Sequence, residues 1–216
     1  MTTSVALVRH GETDWNRQQR FQGQIDVPLN ATGHAQAQRL ASALAGERFD
    51  LLLSSDLLRA RQTLAPLQQR LAGNVLARAE WREQGFGVLE GLSVDEIKAR
   101  HPQLWAQWLR HDADYCLPEG ESVRRFHARV TDALQALVQQ HAGRRLLVVT
   151  HGGVLDMLWR TLHGQTLHGA RDCAIPNTGI NRLRWRNGHL DLERWADDTH
   201  LAGLPEQPVT APATDT

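Results

Sequence analysis

Two places in the chain set a histidine beside glycine at the end of an apolar run. Val5-Ala6-Leu7-Val8 leads into Arg9-His10-Gly11, and Arg145-Leu146-Leu147-Val148-Val149-Thr150 leads into His151-Gly152-Gly153. Short apolar runs of this kind read as strands buried on both faces, and parallel strands deliver their ends side by side to the ligand-binding edge of a sheet. Two imidazoles, an arginine and open glycine amides would meet there. That set suits phosphoryl chemistry. Neutral imidazole is a competent nucleophile toward phosphorus, and a protonated one can bond a phosphoryl oxygen. Arginine grips phosphate with a planar fork of donors, and Gly152 leaves the backbone open at a helix start, where free amides favour an anion. A lone histidine is more often a packed or surface residue, but two His-Gly pairs ending two buried strands favour function. Zinc fits less well, because no close His-x-His or Cys-x-x-Cys pair accompanies them.

The elements that must position these groups follow from the pattern around them. Thr32 to Gly46 reads as an amphipathic helix capped by Thr32, and Leu51-Leu52-Leu53-Ser54-Ser55 as a second buried strand. Asp56 is placed to cap a helix running to about Leu71, and Asn74 to Ala79 reads as a third strand. Ser93-Val94-Asp95-Glu96 fits a capping box whose short helix stops at Pro102, and a longer helix runs from about Glu121 to Gln140. Val154 to Leu162 is helical. Ile180 to Arg186 and His189 to Ala196 alternate like strands and are joined by Asn187-Gly188, a strong hairpin signal. Strands alternating with helices predict a three-layer α/β sandwich: a mainly parallel central sheet, an antiparallel edge hairpin and a helical cap insertion. The expected organisation is one domain over residues 1–203, with a cap insertion over about 88–140, of which Val88 to Leu117 would lie over the active-site end. Residues 204–216, rich in Pro, Thr and Ala, read as a disordered tail.

Composition narrows the partners. Lys plus Arg and Asp plus Glu are both 24, so the formal charge is zero and the basic excess of a nucleic-acid binder is missing. A local basic pocket is all that a small anion needs. Cys116 and Cys173 are too few for a disulfide framework and read as free thiols in a reducing compartment. The N-terminus does not read as a signal peptide, and no apolar run approaches the roughly 20 residues of a membrane span. The expected location is the cytoplasm. The expected partner is a small phosphorylated metabolite, with no nucleic acid and no membrane, and a homodimer is left open.

The blocks Leu7-Val8-Arg9-His10-Gly11-Glu12-Thr13 with Trp15-Asn16, Phe21 to Leu29 with Thr32-Gly33, Ser54 to Thr63, Arg82 to Gly87 with Glu90-Gly91, Pro118 to Ser122, and Val148 to Gly153 occur in order along nearly the whole chain. Together they resemble the histidine phosphatase superfamily, the phosphoglycerate mutase-like proteins. The resemblance implies that His10 is the residue phosphorylated and that Arg9, Arg59 and His151 surround the phosphoryl group. It implies that Asn16, Gln22 and Gly23 line the phosphate or substrate pocket, beside the Gly152 amide expected there from its helix start, and that Glu83 is the proton donor. The chemistry agrees: a leaving alkoxide needs a proton, and a shielded carboxylic acid can hold one near neutral pH. Because arginines, His151 and backbone amides already meet the phosphoryl charge, no cofactor and no metal are expected. Weaker candidates have plainer readings. Arg61 should be solvated, Glu12 should bond loop backbone, and Glu121 could cap the following helix. Trp105 and Trp108 fit cap packing better than substrate lining, and His34, His127 and His163 are given no function.

The superfamily holds phosphatases and cofactor-dependent mutases. The mutases continue the glutamate motif with arginine, an aromatic residue and glycine, whereas Gln84-Gly85-Phe86-Gly87 follows Glu83 here. Their longer, more basic insertion also differs from this one, which after Lys98 and Arg100 turns to Trp, Leu and acidic residues. Both departures resemble the phosphatase branch, so a phosphomonoesterase is expected, with a phosphoglycerate mutase as the alternative. A phosphate-binding scaffold would be expected to lose at least one of His10, Arg9, Arg59, Glu83 and His151, and all are present. The substrate is open among sugar phosphates, phosphoglycerate derivatives and the nucleotide-loop phosphate of cobalamin synthesis.

Overall fold

A computed structural model describes residues 2–71 and 74–207. Strands β1 (Thr2–Arg9), β2 (Leu51–Ser55), β3 (Asn74–Arg78), β4 (Arg145–Thr150), β5 (Ile180–Arg186) and β6 (His189–Asp197) form one sheet in the order β3-β2-β4-β1-β5-β6. The first four in that order run parallel, β5 is antiparallel to β1, and β6 is antiparallel to β5. The helices are α1 (Asp14–Arg17), α2 (Ala31–Ala43), α3 (Leu58–Gln68), α4 (Val94–Arg100), α5 (Pro102–Trp108), α6 (Val123–Gln140) and α7 (Gly152–Leu162). This is the α/β sandwich that the alternation of patterns predicts.

The unbroken apolar runs have a direct cause. Successive side chains of a strand point to opposite faces, so a strand covered on both sides must be apolar at every position. Ala6, Val8, Leu52, Leu147 and Val149 pack with α2 and α3 residues such as Leu40, Leu64 and Leu67. Val5, Leu7, Leu51, Leu53, Leu146 and Val148 face the other way, onto Phe126, Val130 and Leu134 of α6 and Leu155 and Leu158 of α7. Each fully buried Leu or Val contributes about 1.5–3 kcal/mol relative to exposure. At the far edge, Asn187 and Gly188 both have positive φ, 51° and 83°, as a two-residue turn between twisted strands requires.

The same packing redraws the cap. α6 belongs to the sheet's own helical layer, so the expected insertion over 88–140 contracts at its C-terminal side. The cap has a separate small core of Leu89, Ile97, Trp105 and Leu117, flanked by Phe21, Phe86 and Trp108. Two caps also differ from expectation. Asn30, not Thr32, caps α2, its side chain accepting from Gly33 N at 2.8 Å. Asp56 does not cap α3. Its carboxylate takes both Nε and Nη2 of Arg82 at 2.7 Å, and α3 ends at Gln68, three residues before the expected Leu71. Ser93 caps α4 with the reciprocal box its spacing predicts.

The expected tail divides. Gln207 bonds both backbone groups of Asn177, so 204–207 are fastened to the body of the molecule, while 208–216 lie outside the described residues. No helix among the described residues is long and apolar enough to cross a membrane.

Candidate active site

The strand register brings the two His-Gly segments together. Arg9 lies opposite Thr150, and the next residue, His10, donates its backbone N–H to Thr150 O at 2.8 Å. The His10 and His151 rings end 5.2 Å apart between centroids. His10 is 3% exposed, and its Nδ1 lies 2.7 Å from the carbonyl of Gly11. A carbonyl can only accept, so Nδ1 carries the proton and Nε2 keeps its lone pair. Burial, with Arg59 and Arg9 adding like charge, holds the His10 imidazolium well below its usual range. The result is a neutral imidazole presented in one tautomer. Asn177 Nδ2 bonds the His10 carbonyl at 2.8 Å and fixes the backbone behind it.

Two guanidiniums surround this ring without a hydrogen-bonded carboxylate partner. Arg9 donates through Nη1 to Ile175 O, and Arg59 donates to Gly23 O and Ile25 O. The Nε atoms of both are buried with no hydrogen-bond partner. Burial lowers each to about 10, which leaves both charged at neutral pH. His151 is fully buried, and neither of its ring nitrogens has a partner. Burial first, then Arg59, holds its imidazolium well below the usual range. Buried donors left unbonded cost free energy, and a concentration of them marks where an anion is to sit.

Glu83 reaches this place from the loop after the Ala79–Trp81 turn. Its Oε2 accepts from Gly153 N at 3.0 Å and its Oε1 from Gln84 N at 2.9 Å. The second glycine of the His-Gly-Gly segment is thereby explained, since a Cβ there would stand 2.1 Å from Glu83 Oε1. Arg129 of α6 secures the loop by bonding the carbonyls of Glu80, Arg82 and Glu83. Asn16 and Gln22 are both 8% exposed on the cavity wall. The Asn16 Oδ1 is committed to Thr13, so its amide nitrogen is the group that can donate outward. Gln22 Oε1 has no partner, Gly23 turns the chain with φ of 49°, and Gly152 opens α7 beside Arg9.

These groups line the floor of a cavity of about 470 Å³ that runs up under the cap. Phe21, Phe86 and Trp108 form its aromatic wall, meeting edge to face at 5.1–5.6 Å. Trp105 and Trp108 therefore both pack the cap and border the cavity. The plainer candidates stay plain. Arg61 is exposed. Glu12 is buried and accepts from Arg17 Nε and Asn30 Nδ2, so its carboxylate ties side chains rather than loop backbone. Glu121 pairs with Arg129 while Ser122 caps α6. Sequence reasoning missed Asn177, Arg129 and Arg171, which lines the cavity near Arg9. Only Asn177 carried a signal, in the turn-forming run Pro176-Asn177-Thr178-Gly179 ahead of β5.

Comparison with known proteins identifies the family and the fold. The family model for branch 1 of the histidine phosphatase superfamily matches residues 5–198. The chain is 36% identical over 202 residues to phosphoglycerate mutase-like protein 4 of Arabidopsis thaliana, covering 91% of this chain and 86% of that one. Among solved structures, YhfR of Bacillus stearothermophilus superposes with a TM-score of 0.86 at 28% identity, over 92% of this chain and 99% of that one. A phosphoserine phosphatase from Entamoeba histolytica, solved as a mutant with phosphoserine, gives 0.81 at 26% identity, over 92% and 99%. The chain belongs to the histidine phosphatase superfamily and is an enzyme of that superfamily.

Proposed function

We propose that this enzyme hydrolyses small phosphate monoesters, passing the phosphoryl group first to Nε2 of His10 and then to water. The observation that carries the reading is the 2.7 Å bond from His10 Nδ1 to Gly11 O, which leaves a neutral Nε2 beside two guanidiniums whose buried Nε atoms have no partner. In the first step the Nε2 lone pair forms the N–P bond while the ester P–O bond breaks. Arg9, Arg59 and His151 bear the charge on the equatorial oxygens, where catalysis of phosphoryl transfer is mostly done. Glu83, in its protonated form, gives its proton to the departing alkoxide. In the second step the same carboxylate takes a proton from water, whose oxygen attacks phosphorus and frees His10. Two buried guanidiniums match the two charges of the phosphoryl dianion, so no metal is needed.

Hydrolysis is favoured over mutase chemistry by the departure after Glu83 and by the short cap, whose Phe21, Phe86 and Trp108 give it an aromatic inner face. The mutase-like name of one relative supports the alternative; the phosphatase among the structural neighbours supports this one. The test is rapid quenching with labelled phenyl phosphate, run in excess chelator. Acid-labile, base-stable label on His10, phosphate released to water and an inactive, folded His10→Ala variant are expected. Label on serine or aspartate, a metal requirement, or bisphosphate-primed interconversion of phosphoglycerates with little free phosphate would each reverse the reading.

A further inference from the structure

The irregular segment after α7 is fastened at several points. Arg160 donates to the carbonyls of Thr166, His168, Gly169 and Ala170, at 2.7, 3.2, 2.9 and 2.9 Å. On the other side of Arg171, Asp172 accepts from Trp159 Nε1 and Gln165 Nε2. The backbone of Arg171 is therefore held between two ties. Its side chain lines the cavity, with Nε 3.8 Å from Asp156 Oδ1, and neither of those buried atoms has a hydrogen-bond partner. The other oxygen of Asp156 accepts from Arg160 Nε at 3.3 Å. One carboxylate thus serves two guanidiniums, and the trio keeps one positive charge unmatched.

Arg171 is also close to the phosphoryl floor without being part of it. Its Nη1 is 3.5 Å from the point a Cβ on Gly152 would occupy, and Arg9 Nε is 3.5 Å from the same point. After burial, its field is the largest influence lowering Arg9, whereas the charges acting on His10 are Arg59 and Arg9. Arg171 stands beside Arg9, one step out from the nucleophile. Arg9 and Arg59 already match a phosphoryl dianion, so the third charge is left for another group.

We propose that Arg171 is a specificity-determining residue that binds a carboxylate on the body of the substrate, with Asp156 as the positioning residue that aims it. A single unmatched charge suits a monoanion better than a second phosphoryl dianion. The group comes from the segment after α7 and not from the cap. A substrate of this class is a phosphomonoester whose carboxylate lies near the ester. The inference rests on the phosphomonoesterase reading above.

The test uses phenyl phosphate and 3-carboxyphenyl phosphate as substrates, and the matching phenylphosphonates as ligands that cannot turn over. Removing Arg171 as Arg171→Ala should cost at least about tenfold more in kcat/KM on the carboxylated ester than on the plain one, through KM. The carboxylated phosphonate should lose affinity in the same proportion. Asp156→Asn should move both ratios in the same direction by less, and Arg171→Lys should recover part of the loss. Equal losses on both esters, or unchanged ratios in both assays, would overturn the proposal. If wild type hydrolyses neither ester, the phosphomonoesterase reading falls, and the phosphonate affinities alone then decide the role of Arg171: selective loss of the carboxylated phosphonate in Arg171→Ala upholds it, and equal affinities overturn it.

Discussion

A single backbone carbonyl decides which nitrogen of His10 is available, and two backbone amides, Gly153 N and Gln84 N, decide where the Glu83 carboxyl points. The roles of these two residues separate by leaving group. An alkoxide has a conjugate-acid pKa far above that of nitrophenolate and depends more on a general acid. Glu83→Gln keeps shape but has no proton to give. The burst of His10 phosphorylation should slow by about 10²–10⁴ for glycerol phosphate and far less for nitrophenyl phosphate. Equal slowing in a quenched-flow measurement would remove Glu83 from the donor role. The histidines were legible because their signal is local: an apolar run, then His-Gly. Arg171 was not, since nothing near it in sequence is periodic and tertiary contacts place it, from Asp156, Trp159 and Arg160 of α7 and from Gln165.

Elements carry the next level of precision. The first turn of α7 must bring Gly153 N within 3.0 Å of Glu83 while Phe126 of α6 presses from behind. In Gly153→Ala the new Cβ would stand 2.1 Å from Glu83 Oε1 and 3.0 Å from Phe126 Cε1. Displacement of Glu83 by about an ångström should lower kcat on alkyl esters about a hundredfold. A folded variant with full activity would show that this contact does not position the carboxyl. Strands and helices were readable from periodicity, and the Ser93 capping box from its spacing. The caps at Thr32 and Asp56 misled because Asn30 takes the capping role at α2 and Arg82 takes the Asp56 carboxylate, and packing alone settles both outcomes. The reach of the cap failed for a similar cause: α6 follows the insertion in sequence but joins the sheet in space.

For the whole molecule the buried imidazoles couple folding to pH. His10 and His151 both titrate well below the usual 6.5 in the folded state, because burial and neighbouring guanidiniums disfavour the charged ring. Below pH 6.5 the unfolded chain therefore binds protons that the folded chain refuses. Stability is full above that value and is lost as pH falls through the window down to the folded values. The slope should be up to about 1.4 kcal/mol per pH unit for each of the two rings. Urea midpoints measured between pH 7.5 and 5.5 check this, and His151→Phe should flatten the slope. A midpoint insensitive to pH over that range would mean that the rings take up protons in the folded state.

His151 has a further consequence, one of trade between working and lasting. An imidazole sealed from solvent with both nitrogens unbonded is worth less to the fold than a hydrocarbon ring of similar size. The site is thus a reservoir of instability kept for turnover. His151→Phe should melt about 2–4 °C higher for each kcal/mol recovered, and should be inactive. Inorganic phosphate should raise the melting temperature of the wild type by supplying the missing partner, and should do so much less in the variant. Heat-resistant descendants of this chain selected without regard to activity should lose His151 early.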